Sequence, residues 1–242
     1  MVEHIPLKNI LFLDIETVPQ YSSFDEVPTK IQNLWLKKAQ FINRNNETDD
    51  ELYRRAGIYA EFGKIVCISM GVIREKDGQI TLKVASIYDD DEATILQKFK
   101  EYLLMFSKGR ELYLCGHNGK EFDFPYIARR MLINSIKLPQ ILDVGGKKPW
   151  EVTFLDTMEL WKFGDGKKFT SLELLTEIFG IDSPKEDMDG SMVNETYWKD
   201  KDLKKIANYC EQDVVALTQL FLKLNTYPLI DKHNIEIITL GM

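Results

Sequence analysis

Cysteine is scarce in this chain. Cys67, Cys115 and Cys210 are its only three, far apart and set in apolar or mixed surroundings. An odd count without paired spacing argues against a disulfide framework and against a cysteine-based zinc site. Buried free thiols in a reducing cytoplasm are the expectation that remains. Long apolar runs are missing too. The stretch Ile10 to Leu13 is far short of the ~20 residues a membrane helix needs, so no membrane association is expected. The opening MVEHIPLKNILFLDIE has no basic run leading into a long apolar region, which argues against a secretory signal. Basic charge is not in excess either. The formal net charge of −7 speaks against a protein that coats long nucleic acid without regard to sequence. It leaves room for an enzyme that grips a few terminal nucleotides while bound metal ions neutralise phosphate.

What is present reads as an ordinary soluble domain. Apolar residues make up 44% and charged residues 29% of 242, close to globular averages. A chain of this length buries roughly 70% of its unfolded surface and needs no disulfides. With no repeats or low-complexity linkers, 1–242 is expected to be a single domain. NILFLDI, Asn9 to Ile15, is a short apolar run without helical period and predicts a buried strand. Gln20 to Phe62 changes character: it is charged, with Ile31, Leu34, Trp35 and Leu36 near helical spacing. It predicts a largely helical insert broken around Asn43 to Asp50. Lys64 to Ile73 and Gln79 to Tyr88, separated by an Asp-Gly turn signal, predict an antiparallel hairpin.

Further on, Asp91 to Phe106 predicts an amphipathic helix and Glu111 to Cys115 a strand. A helix is expected from about Asp123 to Leu132, a strand over Val152 to Leu160 and a helix over Thr170 to Phe179 capped by Ser171. Asp202 to Leu224 predicts a long helix, and 225–242 a C-terminal extension. Strands followed by alternating helices and strands indicate an α/β fold with a mixed central sheet flanked by helices.

Three segments carry candidate chemistry. Asp14-Ile15-Glu16 ends a buried strand, so Asp14 and Glu16 share one face. At ~4 Å their repulsion costs of order 4 kcal/mol at an effective dielectric near 20, which asks for a cation. Asp123 lies in GHNGKEFDFPYI, where a glycine-rich loop opens a helix with Pro125 in its first turn. Tyr209 and Asp213, four apart in the long helix, lie on one face, and Asp is a poor helix-interior residue. Taken alone, each has an ordinary structural explanation: solvated strand-end acids, a helix cap, an acid on a helix flank. The ordered set D-x-E, N-x4-D and Y-x3-D, each in a fitting context, has none.

That set resembles the DEDD superfamily of 3′–5′ exonucleases, whose fold is ribonuclease H-like. The DIET, HNGKEFDFPYI and YCEQDVVAL blocks resemble the exonuclease domain of family B DNA polymerases. More narrowly, with LDTMELW, SLELLTEIFGI and PKEDMDGSMV, the chain is similar to stand-alone predicted 3′–5′ exonucleases related to that domain. The superfamily divides by a His five residues, or a Tyr four residues, before the last Asp. Here these positions are Asn208 and Tyr209, the tyrosine form.

The resemblance implies phosphodiester hydrolysis from the 3′ end with two divalent cations, Mg2+ or Mn2+. Asp14, Glu16, Asp123 and Asp213 would be the metal ligands, with Asp14 bridging both ions, and Tyr209 would orient the attacking water. Thr17, Asn118 and Phe122 would line the nucleotide pocket, although Phe122 and Phe124 read equally as core residues. His117 reads as a satisfied structural histidine, Lys185 as a solvated lysine, and Trp35, Trp150, Trp161 and Trp198 as core or interface residues. The expected partner is the 3′ end of single-stranded DNA, with RNA as the alternative and a non-catalytic nucleic-acid-binding adaptor as the non-enzyme reading. Any proofreading would need a polymerase or repair partner in trans. The oligomeric state is left open.

Overall fold

The computed structural model describes residues 5–43, 46–76, 78–166, 169–182 and 188–239. Lys185 and the turn residue Asp77 lie outside the described residues. Six strands form one sheet: β1 (Ile10–Pro19), β2 (Gly63–Lys76), β3 (Gln79–Tyr88), β4 (Tyr113–Gly116), β5 (Leu155–Asp156) and β6 (Ile235–Thr239). Their order is β5-β4-β1-β2-β3-β6. β2 is antiparallel to both neighbours, while the β1–β4, β4–β5 and β3–β6 pairs are parallel. Among the described strands β2 alone runs against the rest, giving a mixed sheet flanked by helices.

The helices are α1 (Thr29–Ile42), α2 (Asp49–Tyr53), α3 (Glu92–Ser107), α4 (Asp123–Ile133), α5 (Thr157–Lys162), α6 (Leu172–Phe179), α7 (Val193–Glu195) and α8 (Leu203–Leu224). β1 is buried on both faces, which explains its unbroken apolar run. Leu11, Leu13 and Ile15 pack with Ile95 and Phe99 of α3 and Ile127 of α4. Ile10 and Phe12 point the other way, into a cluster with Val214, Leu217 and Phe221 of α8. The Phe12 and Phe221 rings meet edge to face at 5.3 Å. Gly71 of β2 makes this close approach feasible, since a Cβ there would lie 2.7 Å from Val214 Cγ1. The even-numbered side of β1 thus looks directly at α8, and that face carries Asp14 and Glu16.

Most expected elements are present with ends shifted by one to four residues; β1 runs on to Pro19, so Asp14 and Glu16 sit within the strand and not at its end. Two differ in kind. Val152 to Leu160 was expected as a strand, but only Leu155–Asp156 is strand and Thr157–Lys162 is helical. The helix starts where the Asp156 carboxylate accepts the Met158 N–H at 2.9 Å, a cap inside what reads as an apolar run. The C-terminal tail supplies β6, a parallel edge strand pairing Ile235 with Leu82 and Ile237 with Val84. Trp150 is 78% exposed, not core, with the Lys148 ammonium 5.2 Å from its ring centroid.

Residues 20–62 leave and rejoin the sheet at one place, where Gln20 N donates to Phe62 O at 3.0 Å. The segment has its own aromatic cluster, with the buried Trp35 ring 5.8 Å from Tyr53 and 5.1 Å from Phe62. α2 opens with a reciprocal Thr48–Glu51 capping box. Tyr126 Oη donates to Gly57 O at 2.7 Å and Arg130 Nη1 to Ala60 O at 2.9 Å, tying the segment to α4.

Candidate active site

Asp14 and Glu16 project from β1 opposite Ser69 and Cys67 of β2. The pairing register shifts just after Glu16, between Glu16 and Thr17. β1 stays paired to β2 through Pro19, and irregularities of this kind re-aim side chains within a strand and recur beside active sites. α8 lies over the same face and brings Tyr209, Cys210 and Asp213. The Cys210 thiol donates to Asp14 Oδ2 at 3.3 Å, and one ligand atom from each of Asp14, Glu16 and Cys210 falls within a 4.8 Å cluster.

Asp123, in the first turn of α4, lies outside that cluster but within the field of Asp14. Its Oδ1 accepts the Ile15 N–H at 3.2 Å, fixing the carboxylate against the middle of β1. The loop before it is held by Asp156, a buried carboxylate that accepts Asn118 N at 2.9 Å and Lys120 N at 3.1 Å. Asn118 takes a left-handed backbone with φ of 64°, a conformation Asn tolerates. Gly119 has no room for a side chain, because a Cβ would lie 2.9 Å from Phe124 Cζ.

The electrostatics fit a site built for cations. Burial pushes the Asp14 carboxyl well above the usual range, and Asp123 and Asp213 push it further, while the Cys210 hydrogen bond pulls the other way. Glu16 is raised by burial and then by Asp14 and Asp213. Asp123 is raised to about 7, chiefly by burial, against the backbone N–H bonds that favour its charged form. Tyr209 is driven far up by burial, by Asp213, Glu16 and Asp14, and by its hydrogen bond to Asp213. Among the described residues no Lys, Arg or His forms an ion pair with Asp14, Glu16 or Asp123. Buried carboxylates crowded together without an ion-pair partner among the described residues offer oxygen donors that suit a divalent cation.

A stability prediction follows from the raised acids. Folded-state values above the unfolded ones mean that the protonated carboxyls contribute stability below about pH 4. For Asp123 that contribution is lost as pH rises towards about 7. In EDTA, the Tm of the wild-type protein is expected to fall behind that of an Asp123→Asn variant between pH 5 and pH 8. Mn2+ is expected to raise the wild-type Tm more at pH 8 than at pH 5, where binding must first displace protons. A constant gap between the two proteins across that range contradicts this reading of Asp123.

The structure therefore packs Asp14 and Glu16 together with Cys210 and sets Asp123, Tyr209 and Asp213 within their electrostatic reach. The other candidates are placed differently. Thr17 is partly buried and lines a cavity beside Glu16, with its hydroxyl hydrogen-bonded to Tyr126. Asn118 and Phe122 do not line that cavity. Phe122 packs on Tyr126 with ring centroids 5.3 Å apart, and Phe124 is core. His117 is satisfied at both ring nitrogens, by Thr157 Oγ1 at 2.9 Å and Thr170 O at 2.8 Å, and burial lowers its pKa. Cys67, Cys115 and Cys210 are buried free thiols. Sequence reasoning missed the contact of Cys210 with Asp14 and the role of Asp156. For Cys210 a signal existed, since it stands three residues before Asp213 and so near the same helical face.

A family model described as predicted 3′–5′ exonuclease related to the exonuclease domain of PolB matches residues 58–231. The match spans Asp123, Tyr209 and Asp213 and begins after Asp14 and Glu16. Among solved structures, the family B DNA polymerase from the hyperthermophilic archaeon Pyrobaculum calidifontis is similar over 90% of this chain, at 17% identity and a TM-score of 0.47. The chain spans 25% of that polymerase's length. No curated protein matches. No helix among the described residues is long and apolar enough to cross a membrane.

Proposed function

The chain belongs to the predicted 3′–5′ exonucleases related to the exonuclease domain of PolB, and from that premise we propose that it hydrolyses single-stranded DNA from the 3′ end with two divalent cations. The observation that supports the reading is a pair of buried carboxylates on one face of β1, Asp14 and Glu16, lying in the electrostatic field of Asp123 and Asp213, with no ion-pair partner for Asp14, Glu16 or Asp123 among the described residues. Asp14, Glu16, Asp123 and Asp213 would hold Mg2+ or Mn2+. The ions supply Lewis-acid stabilisation of charge on the phosphorane-like transition state and activation of water. Water adds to phosphorus, the P–O3′ bond breaks, and a nucleoside 5′-monophosphate leaves a strand shortened by one residue with a new 3′-hydroxyl.

Tyr209 does not serve as the base. Its hydrogen bond to Asp213 and its raised pKa keep it protonated at neutral pH. Its O–H is committed to Asp213, which leaves the phenolic oxygen to accept from the attacking water and orient it. Tyr209→Phe is expected to lower kcat about 10–100-fold with little change in KM, the pattern of an interaction made in the transition state. A tenfold rise in KM at unchanged kcat would assign Tyr209 to substrate binding instead.

A proofreading or repair role would couple this activity to a polymerase or repair partner. The three buried free thiols fit residence in the cytoplasm. The test is degradation of 5′-labelled DNA and RNA of matched sequence, with a free or a 3′-phosphorylated end, in Mg2+, Mn2+ or EDTA. Stepwise shortening of the DNA that needs metal and a free 3′-hydroxyl is the expected result. Faster shortening of RNA would make the protein an exoribonuclease. Binding without cleavage under either metal would favour an adaptor module.

A further inference from the structure

The carboxylates of β1 share their surroundings with sulfur. Cys210, fully buried on α8, sets its thiol 3.3 Å from Asp14 Oδ2 and 3.5 Å from Asp14 O. One ligand atom from each of Asp14, Glu16 and Cys210 lies within 4.8 Å of the others. Of the three, Asp14 is the one that keeps contact with solvent. A second thiol stands behind the first. Cys67 faces Glu16 across the β1–β2 pair, is buried, and is hydrogen-bonded to Cys210. No zinc-type spacing in the sequence announces these sulfurs, which meet because α8 packs on the sheet face that carries Asp14 and Glu16.

Glu16 points to a cation independently. It is 9% exposed, yet among the described residues it accepts no hydrogen bond and enters no ion pair, and its charged neighbours Asp14 and Asp213 repel it. A buried carboxylate in that state is costly, and its own oxygen belongs to the group that Cys210 and Asp14 complete. The distances suit one ion. Two ligands of a zinc ion, sulfur at ~2.3 Å and oxygen at ~2.0–2.2 Å, can stand up to about 4.5 Å apart. The 3.3 Å between Cys210 Sγ and Asp14 Oδ2 lies inside that span, and a small rotation of the Glu16 carboxylate brings it in as well.

We infer that Asp14, Glu16 and Cys210 form a site for a thiophilic divalent cation of the Zn2+ class, with the Cys210 sulfur as a direct ligand. Oxygen donors alone suit Mg2+ and Mn2+, whereas a thiolate in the set shifts preference towards Zn2+ and Co2+. Coordination replaces the Cys210 proton, which passes to solvent, while Cys67 stays as the hydrogen-bonded neighbour. A Zn2+ ion held there competes with Mg2+ for Asp14 and Glu16. The inference rests on the reading of these two acids as cation ligands, and it holds whichever nucleic acid is cut.

Co2+ is the probe, because a cobalt–thiolate bond gives an intense near-ultraviolet charge-transfer band that cobalt–carboxylate bonds lack. The reduced, metal-free protein is titrated with Co2+ as wild type, as Cys210→Ser, and as a Cys67→Ser, Cys115→Ser variant in which Cys210 is the one cysteine left. The wild type and the double variant are expected to show the band, and Cys210→Ser to lose it. Added Zn2+ should abolish the band. Cys210→Ser should bind Zn2+ at least about tenfold more weakly, with Mn2+ affinity changed by less than about threefold. Co2+ bound by the wild type without the band would overturn the inference, as would a band that survives Cys210→Ser or disappears from the double variant. Cleavage of DNA and RNA by the wild type in Mg2+ separates the two readings. Cleavage without the band removes the sulfur ligand and leaves the exonuclease, whereas the band without cleavage keeps the metal site and removes the exonuclease.

Discussion

Asp14→Asn is expected to reduce the rate of 3′ shortening by at least ~10³-fold, about 4 kcal/mol in the barrier. The same change should make the metal-free protein more stable. Both effects have one cause. Asp14 is the carboxylate nearest the centre of the cluster: its charge is opposed by burial, Asp123 and Asp213. Asparagine keeps its shape and removes one repelling charge, so the fold gains while the cation site loses a ligand. A gain of about 1 kcal/mol corresponds to a rise of ~2–4 °C in Tm for a chain of this size. Activity in saturating Mn2+ and Tm in EDTA are measured on the same preparation. A residue kept for structure alone would show the opposite pair of signs, with Tm falling and any activity loss tracking the unfolded fraction.

Arg130→Ala is expected to destabilise the protein by about 3–5 kcal/mol, the cost of removing one partner of a buried ion pair. The Arg130 and Glu92 side chains are 5% and 6% exposed. Arg130 Nε donates to Glu92 Oε1 at 2.8 Å and Nη2 to Oε2 at 2.5 Å, a bidentate contact. Glu92 also accepts Ile65 N at 2.8 Å and Asn134 Nδ2 at 2.9 Å, while Arg130 Nη1 holds Ala60 O at 2.9 Å. This one pair therefore ties α3, α4, β2 and the end of the 20–62 segment together. Truncating the arginine strands a buried carboxylate, whereas an Arg130→Met, Glu92→Leu double substitution removes both charges and should cost much less. Urea unfolding of the two variants measures the difference. Equal losses would mean that the pair acts through packing volume and not through charge.

The sheet's centre was legible because β1 is buried on both faces and reads as an unbroken apolar run, and because an Asp-Gly turn signal separates the segments that become β2 and β3. Asp14 and Glu16 were legible from strand alternation, and Tyr209 and Asp213 from helical spacing. That they serve one site was legible only through the resemblance, since their approach depends on α8 crossing the even-numbered face of β1, which Gly71 permits. β5 was overextended because the apolar residues after Leu155 are helical ones, and the cap that starts them, Asp156, looks like any acid in a linear reading. β6 escaped notice although its Ile-Glu-Ile-Ile-Thr alternation suits an edge strand.

The most direct test of the carboxylate cluster as the catalytic centre is a time course on a 3′-labelled DNA strand, comparing wild type with an Asp14→Asn, Asp213→Asn double variant in Mg2+, Mn2+ and EDTA. The account predicts that the first labelled product of the wild-type protein is a mononucleotide, formed only with metal, and that the folded double variant forms none. Labelled fragments longer than one nucleotide as first products, or equal rates for the two proteins, would contradict it.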